Sequence, residues 1–267
     1  MAIPYTKAHG SKNDFLLTWE HDAPAGDLAE IAKAICNRYT GVGADGWLIA
    51  GLGSDGPDAT LRLFNSDGST SEMSGNGTRC AAAFLIESGK ATGDLTIQTG
   101  AGPKHLRLLE RRGREFLFEM NMGRAKFDVG EIRTQLSIPS GTYDACILNV
   151  GNPQCAVFVD DFDFDWRKAG AEIEWNARFP QRTNVSFLKV LSPKAIDVLF
   201  WERGAGDTMS SGTGSTGAAF AANLRGLVGA AIEVKTPAGS LHLRLEDDDM
   251  MLTGPAAIVA AGMYYGS

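Results

Sequence analysis

Met73-Ser74-Gly75-Asn76-Gly77-Thr78 decides how the chain is read, because a second version of it, Ser210-Ser211-Gly212-Thr213-Gly214-Ser215, stands 137 residues further on. In both, a Ser-Gly-x-Gly turn runs into an alanine-rich segment, Ala81-Ala82-Ala83-Phe84 in the first and Ala218-Ala219-Phe220 in the second. The same offset lays Thr99 to Leu108 over Thr236 to Leu245 with seven identities in ten positions. Nine residues before each serine an apolar run ends on a polar residue, Asn65 in one copy and Glu202 in the other. A period this long marks a duplicated domain, since solenoid repeats run to roughly 20–50 residues.

Periodicity outward from these turns gives an α+β fold. Asp27 to Cys36 carries helical spacing, with Leu28, Ile31, Ala32 and Ile35 on one face and Asp27 as its cap. Strands are expected at Phe15 to Trp19, Trp47 to Ala50, Leu61 to Phe64, Leu95 to Thr99, Leu106 to Leu109 and Phe116 to Met120. A glycine-rich turn is read at Gly53 to Pro57, and a hairpin turn at Arg111-Arg112-Gly113. The second half repeats the order: strand Ala156 to Val159, helix Trp166 to Ile173, strands Val185 to Val190 and Ala195 to Trp201, the Ser211 helix, then strands Ile232 to Thr236 and Leu241 to Leu245. The expected architecture is two pseudosymmetric domains, each a mixed β-sheet wrapped around a central helix. Residues 1–123, completed by 256–267, form the first domain, and residues 124–255 the second. Gly41-Val42-Gly43-Ala44-Asp45-Gly46 spells GxGxxG, but a helix precedes it and a strand follows, the reverse of a dinucleotide fingerprint.

The 267 residues suffice for two ordinary cores. A net charge of −7 with no basic stripe argues against nucleic acid and against an anionic membrane surface. No apolar run approaches the roughly 18 residues of a membrane span, and Met1 to Tyr5 lacks the features of a secretory leader. Cys36, Cys80, Cys146 and Cys155 have no CxxC spacing and read as reduced, buried thiols of a cytoplasmic protein. No metal or cofactor site is expected.

A glycine-rich turn that opens a helix leaves backbone N–H groups aimed outward at the positive end of the helix dipole, where a carboxylate or phosphate binds. If the halves face each other, both helix N-termini converge on one anion flanked by Ser74 and Ser211. Asn13, Asn65, Asn152, Asn184 and the pair Glu202-Arg203 stand at the ends of other elements. Amides supply donors and acceptors, and adjacent opposite charges suit an ammonium and a carboxylate. The inventory fits a small amino acid.

Taken together, His9-Gly10-Ser11-Lys12-Asn13-Asp14-Phe15, Thr40 to Gly46, Phe64-Asn65-Ser66-Asp67-Gly68, Gly75 to Cys80, Gly151-Asn152-Pro153, Thr183-Asn184-Val185, Glu202 to Gly206 and Ser211-Gly212-Thr213-Gly214 make a chain that resembles the diaminopimelate epimerases. The resemblance implies a cofactor-independent enzyme that interconverts LL- and meso-diaminopimelate in lysine and peptidoglycan-precursor synthesis, and a homodimer. It implies that one residue at the start of each central helix, here Ser74 and Ser211, exchanges the α-proton. Asn13, Asn65, Asn152, Asn184, Glu202 and Arg203 would grip the far end of the substrate, and backbone at Gly75, Asn76, Gly212 and Thr213 the near carboxylate.

The departure is at the centre. The family has cysteine where this chain has Ser74 and Ser211, and histidine where it has Gln154. A thiol with a pKa near ~8.5 is easily lowered at a helix N-terminus, whereas a serine hydroxyl is a far weaker acid that needs a neighbouring base. No histidine in the motifs supplies one other than His9. Four readings stay open: a cysteine-to-serine substituted form of the enzyme, a lineage member with weak or altered activity, a catalytically silent diaminopimelate-binding relative, and another amino-acid racemase or isomerase of the superfamily.

Overall fold

The structure, a computed structural model, describes residues 2–53 and 56–266. Two compact units emerge, one of Met1–Met120 with Gly254–Ser267 and one of Asn121–Thr253. In the first unit the order is β1 (Ala2–Gly10), β2 (Asn13–Trp19), α1 (Leu28–Cys36), β3 (Gly46–Leu52), β4 (Ala59–Asn65), β5 (Thr70–Ser71), α2 (Gly75–Glu87), β6 (Leu95–Thr99), β7 (Gly102–Arg112) and β8 (Glu115–Asn121). In the second it is β9 (Thr134–Ile138), β10 (Gly141–Asn149), β11 (Pro153–Phe158), α3 (Trp166–Glu174), β12 (Asn184–Ser192), β13 (Ala195–Glu202), β14 (Gly206–Thr208), α4 (Gly212–Leu224), β15 (Ala231–Thr236), β16 (Gly239–Glu246) and β17 (Asp249–Tyr265).

Pairing confirms the α+β duplication. β2 runs parallel to β3, and β11 parallel to β12. β4 runs parallel to β6 across the central helix, and β13 parallel to β15. The remaining neighbours are antiparallel hairpins or returns, including β3–β4, β6–β7, β12–β13 and β15–β16. In the first unit β17 pairs with both β8 and β1, so the strand circuit closes.

Each sheet is covered on both faces. In α2 every residue from Gly75 to Ile86 is buried, and in α4 every residue from Gly212 to Ala222. Alanine and glycine on all sides let surrounding strands approach a helix with little side-chain bulk. On the outer faces α1 packs Ala32, Ile35 and Cys36 against Leu16, Trp47, Ile49 and Phe64, and α3 packs Trp166, Ala169 and Ile173 against Val185 and Phe187. A strand buried on both faces has to be apolar throughout, and β3 is buried from Gly46 to Gly51 without interruption. Removal from water contributes roughly 1.5–3 kcal/mol for a side chain such as Ile35 or Phe187. Asp27 caps α1 as the sequence predicts, accepting from Ala29 N and Glu30 N.

The sequence reading does not include β1, β5, β9, β10, β14 or β17. In β1 and β17, proline, glycine and alanine obscure the alternation, and only the partner strand defines the element. The turn after β1 is made by Ser11 and Lys12, both at positive φ. Within the Gly53 to Pro57 turn, Ser54 and Asp55 lie outside the described residues.

Candidate active site

Ser211 is the N-cap of α4. Its Oγ accepts from Gly214 N at 3.1 Å and its carbonyl from Ser215 N at 2.9 Å, which leaves the Gly212 and Thr213 amides without an intrahelical acceptor. Glycine is required at 214, where a Cβ would stand 2.8 Å from Phe200 Cδ1. The Ser211 hydroxyl donates to Glu202 Oε2 at 2.8 Å, and Thr208 Oγ1 donates to Glu202 Oε1 at 2.7 Å. Local chain geometry sets this up. Glu202 ends β13, which turns through Gly204 and Gly206, both at positive φ, and pairs Glu202 with Gly206 on β14. Beneath the turn the buried Glu174 carboxylate accepts from Gly204 N at 3.1 Å, Trp201 Nε1 at 2.8 Å and Arg182 at 3.1 Å. A carboxylate with three donors holds the hairpin in one shape.

The amides of this unit join the same cluster. Asn152 Nδ2 donates to Thr213 Oγ1 at 3.3 Å, and Gln154 Nε2 donates to Asn152 Oδ1 at 2.6 Å. Gln154 is buried against Gly217, where a Cβ would lie 3.1 Å from Gln154 Cγ. Asn184 Nδ2 donates to Pro153 O at 2.9 Å and its Oδ1 accepts from Arg203 N at 3.1 Å, while the Arg203 guanidinium reaches Gln181 O. Asn152, Asn184, Glu202, Arg203, Ser211, Gly212 and Thr213 are therefore linked within one unit, through bonds of their own.

Ser74 caps α2 in the same way. Gly77 N donates to its Oγ at 3.1 Å and Thr78 N to its carbonyl at 2.8 Å. Among the described residues no carboxylate is bonded to Ser74 Oγ. The buried Asn76 donates to Asn13 Oδ1 at 3.2 Å, and Asn13 donates to Asp45 Oδ2 at 2.7 Å. Behind Asn76 lies Arg79, wholly buried, which gives its protons to Asn76 Oδ1 at 2.6 Å, Gly75 O at 3.3 Å and Pro255 O at 3.1 Å. Burial without a carboxylate partner pushes its pKa down to about 10. Asn65 closes its own turn by donating to Ser69 Oγ at 3.0 Å.

No cysteine can stand in for the serines. All four are buried, and burial first of all pushes Cys36, Cys80 and Cys155 up to about 12 and Cys146 to about 11. His9 is bonded to neither serine, and its Nδ1 is buried without a hydrogen-bond partner. The group hydrogen-bonded to Ser211 is not a histidine but Glu202, which the sequence reading places among the residues that grip substrate. The available signal was the pairing of Glu202 with Asn65 at one offset, with a carboxylate in only one copy.

The two-unit α+β fold is shared with solved structures of low sequence identity. A hydroxyproline epimerase from Agrobacterium vitis, solved with bound trans-4-hydroxy-L-proline, superposes with a TM-score of 0.76 at 17% identity, covering 98% of this chain and 92% of that one. A phenazine biosynthesis protein from Bacillus anthracis gives 0.68 at 14%, covering 98% and 99%. The sequence is more specific. The profile of the Diaminopimelate epimerase family matches residues 5–127 and 146–259. The diaminopimelate epimerase of Pelotomaculum thermopropionicum is 38% identical over 97% of this chain and 98% of its own length, and that of Archaeoglobus fulgidus 37% identical over 98% and 96%. The chain belongs to the diaminopimelate epimerase family, a family of isomerases. Among the described residues no helix is long and apolar enough to cross a membrane.

Proposed function

We propose that the protein interconverts LL- and meso-diaminopimelate by moving the α-proton between two hydroxyl groups, Ser74 and Ser211, without a metal or pyridoxal cofactor. The observation that carries this reading is the matched pair of serine-capped helix N-termini, in a chain of this family. Asn13, Asn65, Asn152, Asn184, Glu202 and Arg203 complete the proposed substrate set, in the lysine and peptidoglycan-precursor route of the cytoplasm, with a homodimer as the working unit. Serine in place of cysteine makes the reaction slow, because the alkoxide is far harder to form than a thiolate at the same helix terminus.

Incubation with LL-diaminopimelate in deuterated water tests the reading: meso product and α-deuterium are expected to accumulate together. Tight binding with neither product nor deuterium after long incubation would identify the silent binding relative instead. Turnover of a different amino acid, with no diaminopimelate chemistry, would identify another isomerase on this fold.

A further inference from the structure

Two amides of the Ser74 half stand in a chain with a charge at each end. Arg79 Nη2 donates to Asn76 Oδ1 at 2.6 Å, Asn76 Nδ2 donates to Asn13 Oδ1 at 3.2 Å, and Asn13 Nδ2 donates to Asp45 Oδ2 at 2.7 Å. Arg79 and Asn76 are wholly buried and Asn13 nearly so. The nitrogen and oxygen of an amide are alike in shape, so bonding partners alone settle which way it points. A guanidinium only donates, and Asn76 must turn its oxygen to it. At the other end Asp45 accepts from Asp14 N at 3.1 Å on the oxygen that Asn13 uses, and from Arg38 Nη2 at 2.7 Å on its other oxygen. With N–H donors on both oxygens it is held as the carboxylate, an acceptor only, and Asn13 must turn its nitrogen to it. The middle bond then has one solution. The corresponding chain of the other half lacks such anchors. It runs from Gln154 through Asn152 to the Thr213 hydroxyl, which can rotate, and among the described residues Gln154 Oε1 is buried without a hydrogen-bond partner.

We propose that Arg79 and Asp45 are positioning residues that lock Asn76 and Asn13 in one amide orientation, and so fix which atoms the Ser74 half presents to the substrate. This role rests on the reading of Asn13 and Asn76 as substrate residues. A buried cation is costly to keep, and Arg79 has no carboxylate partner among the described residues. Its bonds go instead to Asn76 Oδ1, to Gly75 O in the same first turn of α2 and to Pro255 O on β17. An amide able to flip offers donor and acceptor interchangeably, whereas a locked one tells a carboxylate from an ammonium at the same position.

The test compares diaminopimelate affinity, by calorimetry, in the wild type and in two pairs of variants. Asp45→Asn keeps the shape but offers nitrogen as readily as oxygen, so Asn13 gains its second orientation, and affinity is expected to fall about 10-fold. Arg38→Met removes the ion pair from Asp45 but leaves Oδ2 to Asn13, and affinity is expected to stay within about 2-fold. Arg79→Lys keeps a donor-only group facing Asn76 Oδ1 and is expected to stay within about 3-fold, whereas Arg79→Met is expected to lose about 10-fold or more. A merely structural role moves the members of each pair together, so equal affinities within a pair overturn the role of that end of the chain. A second arm needs neither variant nor substrate. In neutron diffraction from deuterated wild type, deuterons are expected on Asn76 Nδ2 towards Asn13 and on Asn13 Nδ2 towards Asp45, and either amide found reversed overturns the lock. A wild type that binds no diaminopimelate overturns the functional reading, and the neutron arm then decides the lock on its own.

Discussion

The Ser74 half and the Ser211 half share a helix of identical length at identical offset, yet they are electrostatic opposites. Under the first cap lies the buried cation Arg79, and Asn65 is occupied in its own turn. Under the second the position of Arg79 is taken by Thr216, which bonds to Gly212 O, and the position of Asn65 by the carboxylate Glu202. A duplicated scaffold has kept its backbone and divided its charges. The backbone sets where a helix N-terminus lies, and the residues behind it set the charge that the terminus faces.

The largest test of the comparison changes the cap residue common to both halves. The double change Ser74→Cys and Ser211→Cys is expected to raise epimerisation by about 100-fold or more, measured from LL-diaminopimelate, and an unchanged rate would mean that the surroundings no longer serve the cysteine reaction. Next in size is the buried cation. Arg79→Met removes the guanidinium bonds to Asn76 Oδ1, Gly75 O and Pro255 O and is expected to destabilise by about 3 kcal/mol, read as a fall in denaturation midpoint. Thr216→Val, its counterpart, loses one hydroxyl bond and is expected to cost about 1 kcal/mol; equal losses would erase the distinction between the halves. Of the same size is Gly217→Ala, which presses a methyl on Gln154 and is expected to cost about 1 kcal/mol while weakening substrate affinity through Asn152.

The last prediction concerns a property in which the halves should agree. Each unit buries two cysteines whose pKa values are raised above the ~8.5 of an exposed thiol. The stability they contribute is whole below about pH 8.5 and is lost as pH rises through 11 to 12, since the unfolded chain gives up these protons first. Native protein at pH 8 is expected to resist alkylation and unfolded protein to react at all four positions, as mass spectrometry would show.

Much of this was legible before any coordinates. The Ser-Gly-x-Gly repeat locates both central helices, because a helix buried on all sides must be small and apolar all round, and little else in the chain is. Asp27 and the Leu28 to Ile35 spacing give α1 for ordinary amphipathic reasons. β1 and β17 were not legible, since Pro4, Pro255 and a run of alanines have no strand preference of their own and are extended by their partners. Residue types mark the candidate positions, but not the direction in which Glu202 points. That depends on the hairpin turn Arg203-Gly204-Ala205 and on Glu174, which lies 28 positions earlier on another element.

The long strand β17 also has a consequence for biosynthesis. Its pairing with β1 runs from Ala257 opposite His9 to Tyr265 opposite Ala2, so the first unit is completed by residues made after the whole of the second. A chain emerging from the ribosome can close residues 121–253 while β1 still waits, with an open edge, for its neighbour. The half translated first is the half finished last, and its exposed edge in that interval is where a chaperone would be needed most.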